Sequence, residues 1–401
     1  MLAPKTYPLE VGGSCCARVR GDFQILKLVE QVGSDGAEGR VFRGQAKNLN
    51  YAIKIYSHEY RGQGSDERLL RKLTLMVAAG QSFLSSTAPL FAWPLATVHL
   101  GSKQSHLTAN RFIGFAMPIG ENLISLPAIA EQAKKHRHPD LTERHLIAYY
   151  LARGFAMIHM GAEVRDVTGP IRVTFAIGDV NDSNIAVTRD YYPFFLDCDS
   201  YIIRTPMEVF DHAYGRPEYA SPEYLTAKAH NGSKVRAASD DNYGLAVLIF
   251  RLLNDWQRPY LYRGAKSLSP KDLIPEGRFP YGPSTDEVIP DAVNALKAYN
   301  AEIDPRLKAL FERTFLKGRQ RPTAAEWVTA LSESAQTRIV QKPSKAPPRP
   351  SARPQLRLVR RPRAPIAPAK LPAQQVASNS LRWLIGFLVV ATLILLLRQI
   401  S

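Results

Sequence analysis

The chain is 401 residues long, 45 % hydrophobic, with a formal charge of +16. Three cysteines, of which Cys15 and Cys16 are adjacent, exclude a disulfide framework and a metal-ligand spacing. The charge points at first to nucleic acid, but from Arg338 onward there are twelve Lys and Arg and no acid. The residues before it hold 40 basic against 36 acidic side chains, a net of +4. The basicity belongs to the tail.

Residues 1–22 read as an N-terminal extension, and "MLAPKTYPLE" lacks the apolar core of a signal peptide. Alternating apolar segments then flank a turn with Gly33, Gly36 and Gly39. Gly36-x-x-Gly39-x-Val41 predicts a hairpin whose bare backbone lies close over a nucleotide's phosphates. In "YAIKIY", Lys54 interrupts a β-branched, aromatic strand, where it must reach out or find a partner. "SDERLLRKLTLMVAAG" predicts a helix that carries Glu67, with Ser65 as its cap and Leu70, Leu73 and Val77 as an apolar stripe.

Further on, "AIGDVNDSNIAV" and "FFLDCDSY" are two strand-like stretches separated by a turn. They hold Asp179, an amide five residues later at Asn184, and a second acid thirteen beyond that at Asp197. Phosphoryl transfer on Mg²⁺-ATP needs that layout: the first acid orients the attacking hydroxyl, and the amide and second acid hold the metal that bridges the phosphates. Each signal alone is ordinary, since glycine turns are usually plain hairpins and acids crowd surface turns. Their joint order and spacing is not.

The set resembles the eukaryotic-type Ser/Thr protein kinase domain, from about Phe23 to Leu331. "AIK" resembles the family's nucleotide-lysine strand and "MPIG", from Met117, its adenine-receiving hinge. "RPEYASPEY" resembles the end of the activation segment, with Glu223 as its buried acid, and "DDNYGLAVLIFRLL" the central helix, with Asp241 at its start. "RQRPTAAEW" supplies Arg321, which in the family pairs with that glutamate. The pattern G-D-x-N-x-x-N with D-x-D is most similar to a bacterial kinase subfamily often fused to helix-hairpin-helix DNA-binding domains, although no such hairpin is evident here.

The resemblance implies an α+β, two-lobed fold, with a five-stranded N-lobe over 23–117 and a mostly helical C-lobe over 118–333. Segment 161–174 should form strands or a loop of its own. ATP and Mg²⁺ (or Mn²⁺) would lie between the lobes. Nucleotide contacts would come from Gly33, Gly36, Gly39, Val41, Lys54, Glu67 and Met117, with Lys54 pairing both the α/β-phosphates and Glu67. Asp179, Lys54 and Asn184 would be catalytic, while Asn184 and Asp197 hold metal. Asp199, where the family has glycine, would be either a further metal ligand or a stiffener of the turn. Cys198 would fill the family's Phe position as a small hydrophobe, and His159 would pack structurally.

Other departures bear on activity. Ile177-Gly178 replaces the usual His-Arg, so no arginine stands there to read a phosphorylated activation segment. Ser200, Tyr201 and Thr205 are nonetheless candidate autophosphorylation sites. Asn181 stands where Ser/Thr kinases carry a lysine on the transferred phosphate, and Ser183 where tyrosine kinases carry an arginine. The competing reading is therefore a nucleotide-binding pseudokinase scaffold.

Residues 334–380, rich in Pro, Ala, Arg and Lys, should form a disordered spacer with affinity for anionic lipid. "WLIGFLVVATLILLL", residues 383–397, covers about 22 Å as a helix, against a hydrocarbon core of about 30 Å. Leu381 and the snorkelling Arg382 and Arg398 extend it to a transmembrane helix over 381–398. Eleven Lys and Arg precede the run and one follows, which predicts a single-pass C-terminal anchor with the domain in the cytoplasm. The expected partners are thus ATP, a protein substrate and the membrane, with nucleic acid the least favoured.

Overall fold

The computed structural model describes residues 5–341, apart from 48, 62–65, 84–89, 137–138, 167–168, 212–214, 231–233 and 284–288. The first half is built on strands β1 (Ser14–Val19), β2 (Asp22–Gln31), β3 (Gly39–Ala46) and β4 (Leu49–Tyr56). After helices α1 (His58–Arg61) and α2 (Asp66–Phe83) come β5 (Leu90–Phe91), β6 (Ala96–Leu100) and β7 (Phe112–Met117). Six of these strands close an antiparallel barrel in the order β1-β2-β3-β4-β7-β6, with β6 returning to β1. Leu26 and Leu28 of β2 point inward while Ile25 and Lys27 point out, the period-2 pattern of a strand with one wet face. The barrel's own core is Cys15, Leu28, Phe42, Ile53, Val98 and their neighbours.

The barrel therefore has six strands, not five, and begins at Ser14 rather than near Phe23. Residues expected in an N-terminal extension form β1, because "CCARV" buries Cys15, Cys16 and Ala17 completely.

The second half opens with β8 (Ile124–Ser125), α3 (Leu126–His136) and α4 (Leu141–Met160). Asp140 caps α4 by accepting from the Thr142 and Glu143 N–H groups, and Gly161 ends it at φ 67°. The 161–174 segment does form strands: β9 (Ala162–Asp166) pairs with β10 (Gly169–Ala176). Then follow β11 (Ile185–Val187), β12 (Pro193–Phe195), β13 (Ile202–Arg204) and β14 (Val209–Phe210). Helices α5 (Pro222–Ala229), α6 (Ala238–Leu253), α7 (Pro270–Glu276), α8 (Val293–Glu302), α9 (Pro305–Phe315) and α10 (Ala324–Gln341) complete the described chain. The strands lie in two four-stranded sheets, β14-β13-β10-β9 and β5-β12-β11-β8. The architecture is α+β.

Buried from Asp240 through Phe250, α6 is the axis of the helical half. α10 packs on α4 and reaches past the expected domain end: Ser334 is fully buried, its hydroxyl 3.3 Å from His145 Nε2. Residues 334–341 are thus helix rather than spacer. The rest of the spacer, the 381–398 segment and the Ser65 cap lie outside the described residues. Among the described residues no helix is long and apolar enough to cross a membrane.

Candidate active site

Strand β10 delivers the chain to the site, and α6 anchors it there. The carboxylate of Asp241 accepts from Ile177 N–H (2.7 Å) and Gly178 N–H (2.9 Å), and His159 Nε2 lies 3.1 Å from the same group. His159 is thus a strut, in keeping with its expected structural role. Gly178 takes φ 73°, where a side chain would press on Ile202. From the far side the buried Arg236 donates to Gly178 O (2.6 Å). Asp179 follows, and Asn184 Nδ2 donates to both its carbonyl (3.1 Å) and its Oδ2 (3.2 Å). Asp179 Oδ1 is buried and has no protein partner. A small cavity beside it is lined by Phe155, Val180, Asn184 and Leu196 among others.

A hairpin brings the second acid in. β11 pairs with β12, Ile185 opposite Phe195, and Leu196 N–H donates to Asn184 O at 2.8 Å. Asp197 is the next residue, held at φ 49° while Ser200 donates to its carbonyl. Its side chain is 59 % exposed and opens toward Lys54, whose Nζ is 4.0 Å away. Crowding by protein, with Asp199, Glu38 and Asp179 adding negative field, raises its pKa although Lys54 opposes this. A carboxylate in such surroundings favours a nearby cation. The oxygens of Asn184 and Asp197 suit a hard ion such as Mg²⁺. Among the described residues no group of three or more His, Cys, Asp and Glu forms a metal cage. Such an ion would need phosphate and water oxygens to complete its shell, as Mg²⁺ sites commonly do.

Lys54 lies in the middle of β4, opposite Val41 on β3 and Phe115 on β7. Its ammonium donates to Glu38 Oε2 (2.8 Å) and Asp199 Oδ2 (2.7 Å). Tyr56, two residues along on the same strand face, donates to that Asp199 oxygen at 2.8 Å. Burial alone would discharge the lysine, but Asp199, Glu38 and Asp197 outweigh it and hold its pKa well above the ordinary range. Asp199 shifts the opposite way: burial raises it, yet Lys54 and the Tyr56 hydroxyl prevail, so it stays ionised.

Two expected roles change here. No hydrogen bond or ion pair joins Lys54 to Glu67, which is exposed on α2. The buried face of α2 is Leu69, Lys72, Leu73 and Met76 rather than the stripe through Leu70 and Val77. That small rotation turns Lys72 inward, where its ammonium donates to Asp199 O at 2.6 Å. Asp199, with a side chain 3 % exposed, gives its Oδ2 to Lys54 and Tyr56 as an anchor, while its buried Oδ1 has no protein partner.

The glycine turn lies as expected between β2 and β3. Gly36 N–H donates to Gly39 O, and a Cβ on Gly39 would strike the Ile55 carbonyl of the next strand. Gly33 has φ 76°. Lys5 clasps the turn by donating to Gly36 O (2.7 Å) and Ala37 O (2.6 Å). Met117 ends β7 in register with Ala52, largely buried. Cys198 is fully buried, and burial pushes its thiol pKa up, as suits a small hydrophobe.

The segment beyond Asp199 is tied to α2. Arg68 donates to Glu208 Oε1 (3.0 Å) and to Val209 O, and Arg71 lies 3.2 Å from Glu208 Oε2. Ser200 and Tyr201 are buried, which removes them as accessible modification sites. The Thr205 hydroxyl donates to Glu208 O, closing a turn. Arg321 Nη2 meets both Glu223 oxygens at 3.0 and 3.1 Å, but that glutamate's side chain is 58 % exposed rather than buried.

Glu38, Tyr56, Lys72 and Arg236 were not singled out from the sequence. Glu38 had a faint signal, an acid within the glycine turn. A stripe drawn at 69, 72, 73 and 76, equally helical in spacing, would have turned Lys72 inward.

No protein-family model matches this chain. It is similar to two curated proteins named protein kinase YegI. With the one from Escherichia coli O157:H7 it shares 28 % identity over 273 residues, which is 65 % of this chain and 38 % of that protein. With the one from Escherichia coli strain K12 it shares 28 % over 326 residues, 78 % and 45 % respectively. The chain therefore spans less than half the length of these relatives.

Proposed function

We propose that the chain is an ATP- and Mg²⁺-dependent protein kinase of Ser/Thr type. The observation that carries this is the convergence of Asp179, Asn184, Asp197 and Lys54, drawn from three separate parts of the chain. The similarity to proteins named protein kinase supports the same reading. Asp179 would accept the proton of the attacking hydroxyl through its unpartnered Oδ1. Asn184 keeps that carboxylate aimed, and with Asp197 would hold Mg²⁺, which when bound neutralises phosphate charge. Lys54 would position the α/β-phosphates beneath the turn at Gly36 and Gly39, and Met117 would lie at the adenine edge.

The full chain with [γ-³²P]ATP and Mg²⁺ should label itself or dephosphorylated casein. Asp179→Asn, Lys54→Met and Asp197→Asn should each cost at least about 10²-fold in turnover. Undiminished transfer by Asp179→Asn would remove the assigned base.

A nucleotide-binding scaffold is the second reading, favoured by the absence of a cation at Asn181. ATP would then raise the melting temperature without any phosphate moving. We further place the protein at the membrane, anchored through residues 381–398 with the folded part cytoplasmic, on the strength of that apolar run and the eleven Lys and Arg before it.

A further inference from the structure

Phosphoryl transfer spreads negative charge over three equatorial oxygens, and fixed cations near them lower its barrier. Two obvious suppliers leave those oxygens unanswered, since Lys54 is given to the α/β-phosphates and Asn181 carries no charge. Lys54, with a side chain 9 % exposed, is matched by Glu38 and Asp199. Asn181 is neutral and turned inward: its Oδ1 accepts from Ser183 N–H (2.9 Å) and Asn184 N–H (3.2 Å), and its Nδ2 donates to Asp179 O (3.2 Å).

A third group reaches the same turn from elsewhere in the chain. Arg216 immediately precedes a short 3-10 turn, Pro217–Tyr219, and its Nη2 donates to Ser183 Oγ at 2.8 Å. Ser183 adjoins Asn184, the residue bonded to the Asp179 carboxylate. The Arg216 charge is only loosely answered. Its Nη1 lies 3.5 Å from Asp182 Oδ1, while Arg251 takes the other Asp182 oxygen at 2.9 Å. The Arg216 side chain is 52 % exposed, and its guanidinium presents further N–H donors in a fork that suits phosphate.

We infer that Arg216 is a catalytic residue, contacting the transferred phosphoryl group and supplying the cation that Asn181 does not. The inference rests on the kinase reading above. In the step, the acceptor hydroxyl oxygen forms a bond to Pγ while the bond from Pγ to the β–γ bridging oxygen breaks. That electron pair leaves on ADP, and the hydroxyl proton passes to Asp179. Arg216 donates to the non-bridging oxygens throughout.

The test is steady-state transfer from [γ-³²P]ATP to dephosphorylated casein by the full chain. Arg216→Gln keeps an N–H for Ser183 but no charge. It should lower kcat about 10²-fold with KM for ATP within about twofold, whereas Arg216→Lys should retain about a tenth or more of kcat. A Gln variant within about threefold of wild-type kcat overturns the inference, as does a Lys variant no better than the Gln one. If the Gln variant loses its fold on thermal melting, the Lys variant alone decides. Wild-type protein that moves no phosphate, or an Asp179→Asn variant that still does, defeats the kinase reading and this inference with it. Transfer lost in Asp179→Asn but kept in Arg216→Gln defeats only the inference.

Discussion

Asp199 and Lys54 are separated by 145 positions and meet at 2.7 Å with almost no solvent between them. Removing one member of a buried pair leaves the other charge stranded, at a cost of about 3–5 kcal/mol. Glu38 softens the loss, so Asp199→Ala should destabilise by about 3 kcal/mol in urea unfolding. Lys54→Met with Asp199→Leu should cost less than the two single changes summed; additive costs would show the pair to be independent. Lys72 offers a test in pH. Burial first, then Lys54 and Arg68, pull its pKa down to about 8 against the pull of Asp199 and Glu38. The unfolded lysine titrates near 10.4, so between about 8 and 10.4 the unfolded chain binds more protons. Its contribution to stability therefore rises with pH across that window, and below it the residue opposes folding by a constant amount. Lys72→Met should gain most over wild type at pH 7.5 and least at pH 10 when urea midpoints are compared. An equal gain at both values would mean that Lys72 titrates normally.

At the scale of elements, α2 is the informative one. It carries Lys72 on its inner face and Arg68 and Arg71 on its outer edge, where Glu208 and Val209 bind them. On the kinase reading, the loop after Asp199 already holds a carboxylate, Glu208, against α2 and needs no added phosphate to tie it there. Phosphatase treatment should accordingly leave transfer unchanged; a severalfold fall would contradict this. The Arg68 and Arg71 side chains are half exposed, so their pairs contribute at most about 1 kcal/mol to global stability. Glu208→Arg should leave the melting temperature within about 2 °C yet speed limited proteolysis around 205–211. Unchanged proteolysis would mean that the tie does not order the segment.

Over the whole chain, charge is unevenly distributed. The residues before Arg338 are close to neutral, and the excess lies from Arg338 onward. On the proposed anchoring, the full chain should sediment with membranes and resist salt extraction but yield to detergent, while a chain lacking 381–398 should not. A fraction that salt alone releases would instead point to the basic stretch acting through anionic lipid.

How much was legible follows from the range of the forces involved. Glycine spacing, strand alternation and the 179-184-197 interval are local properties, so the hairpin turn, β4 with its lysine, and the Asn184–Asp197 hairpin were read correctly from the sequence. Asp241 and Arg321 were legible for the same reason, each embedded in a short distinctive run. The partners of the buried charges were not legible. Each residue turns an α-helix by about 100°, so a stripe read one position off decides whether Glu67 or Lys72 faces inward. By itself the sequence determined which groups exist and which strand or turn carries each. Only the tertiary structure decided which opposite charges share a desolvated space, because Coulomb energy depends on distances set by packing across more than a hundred residues.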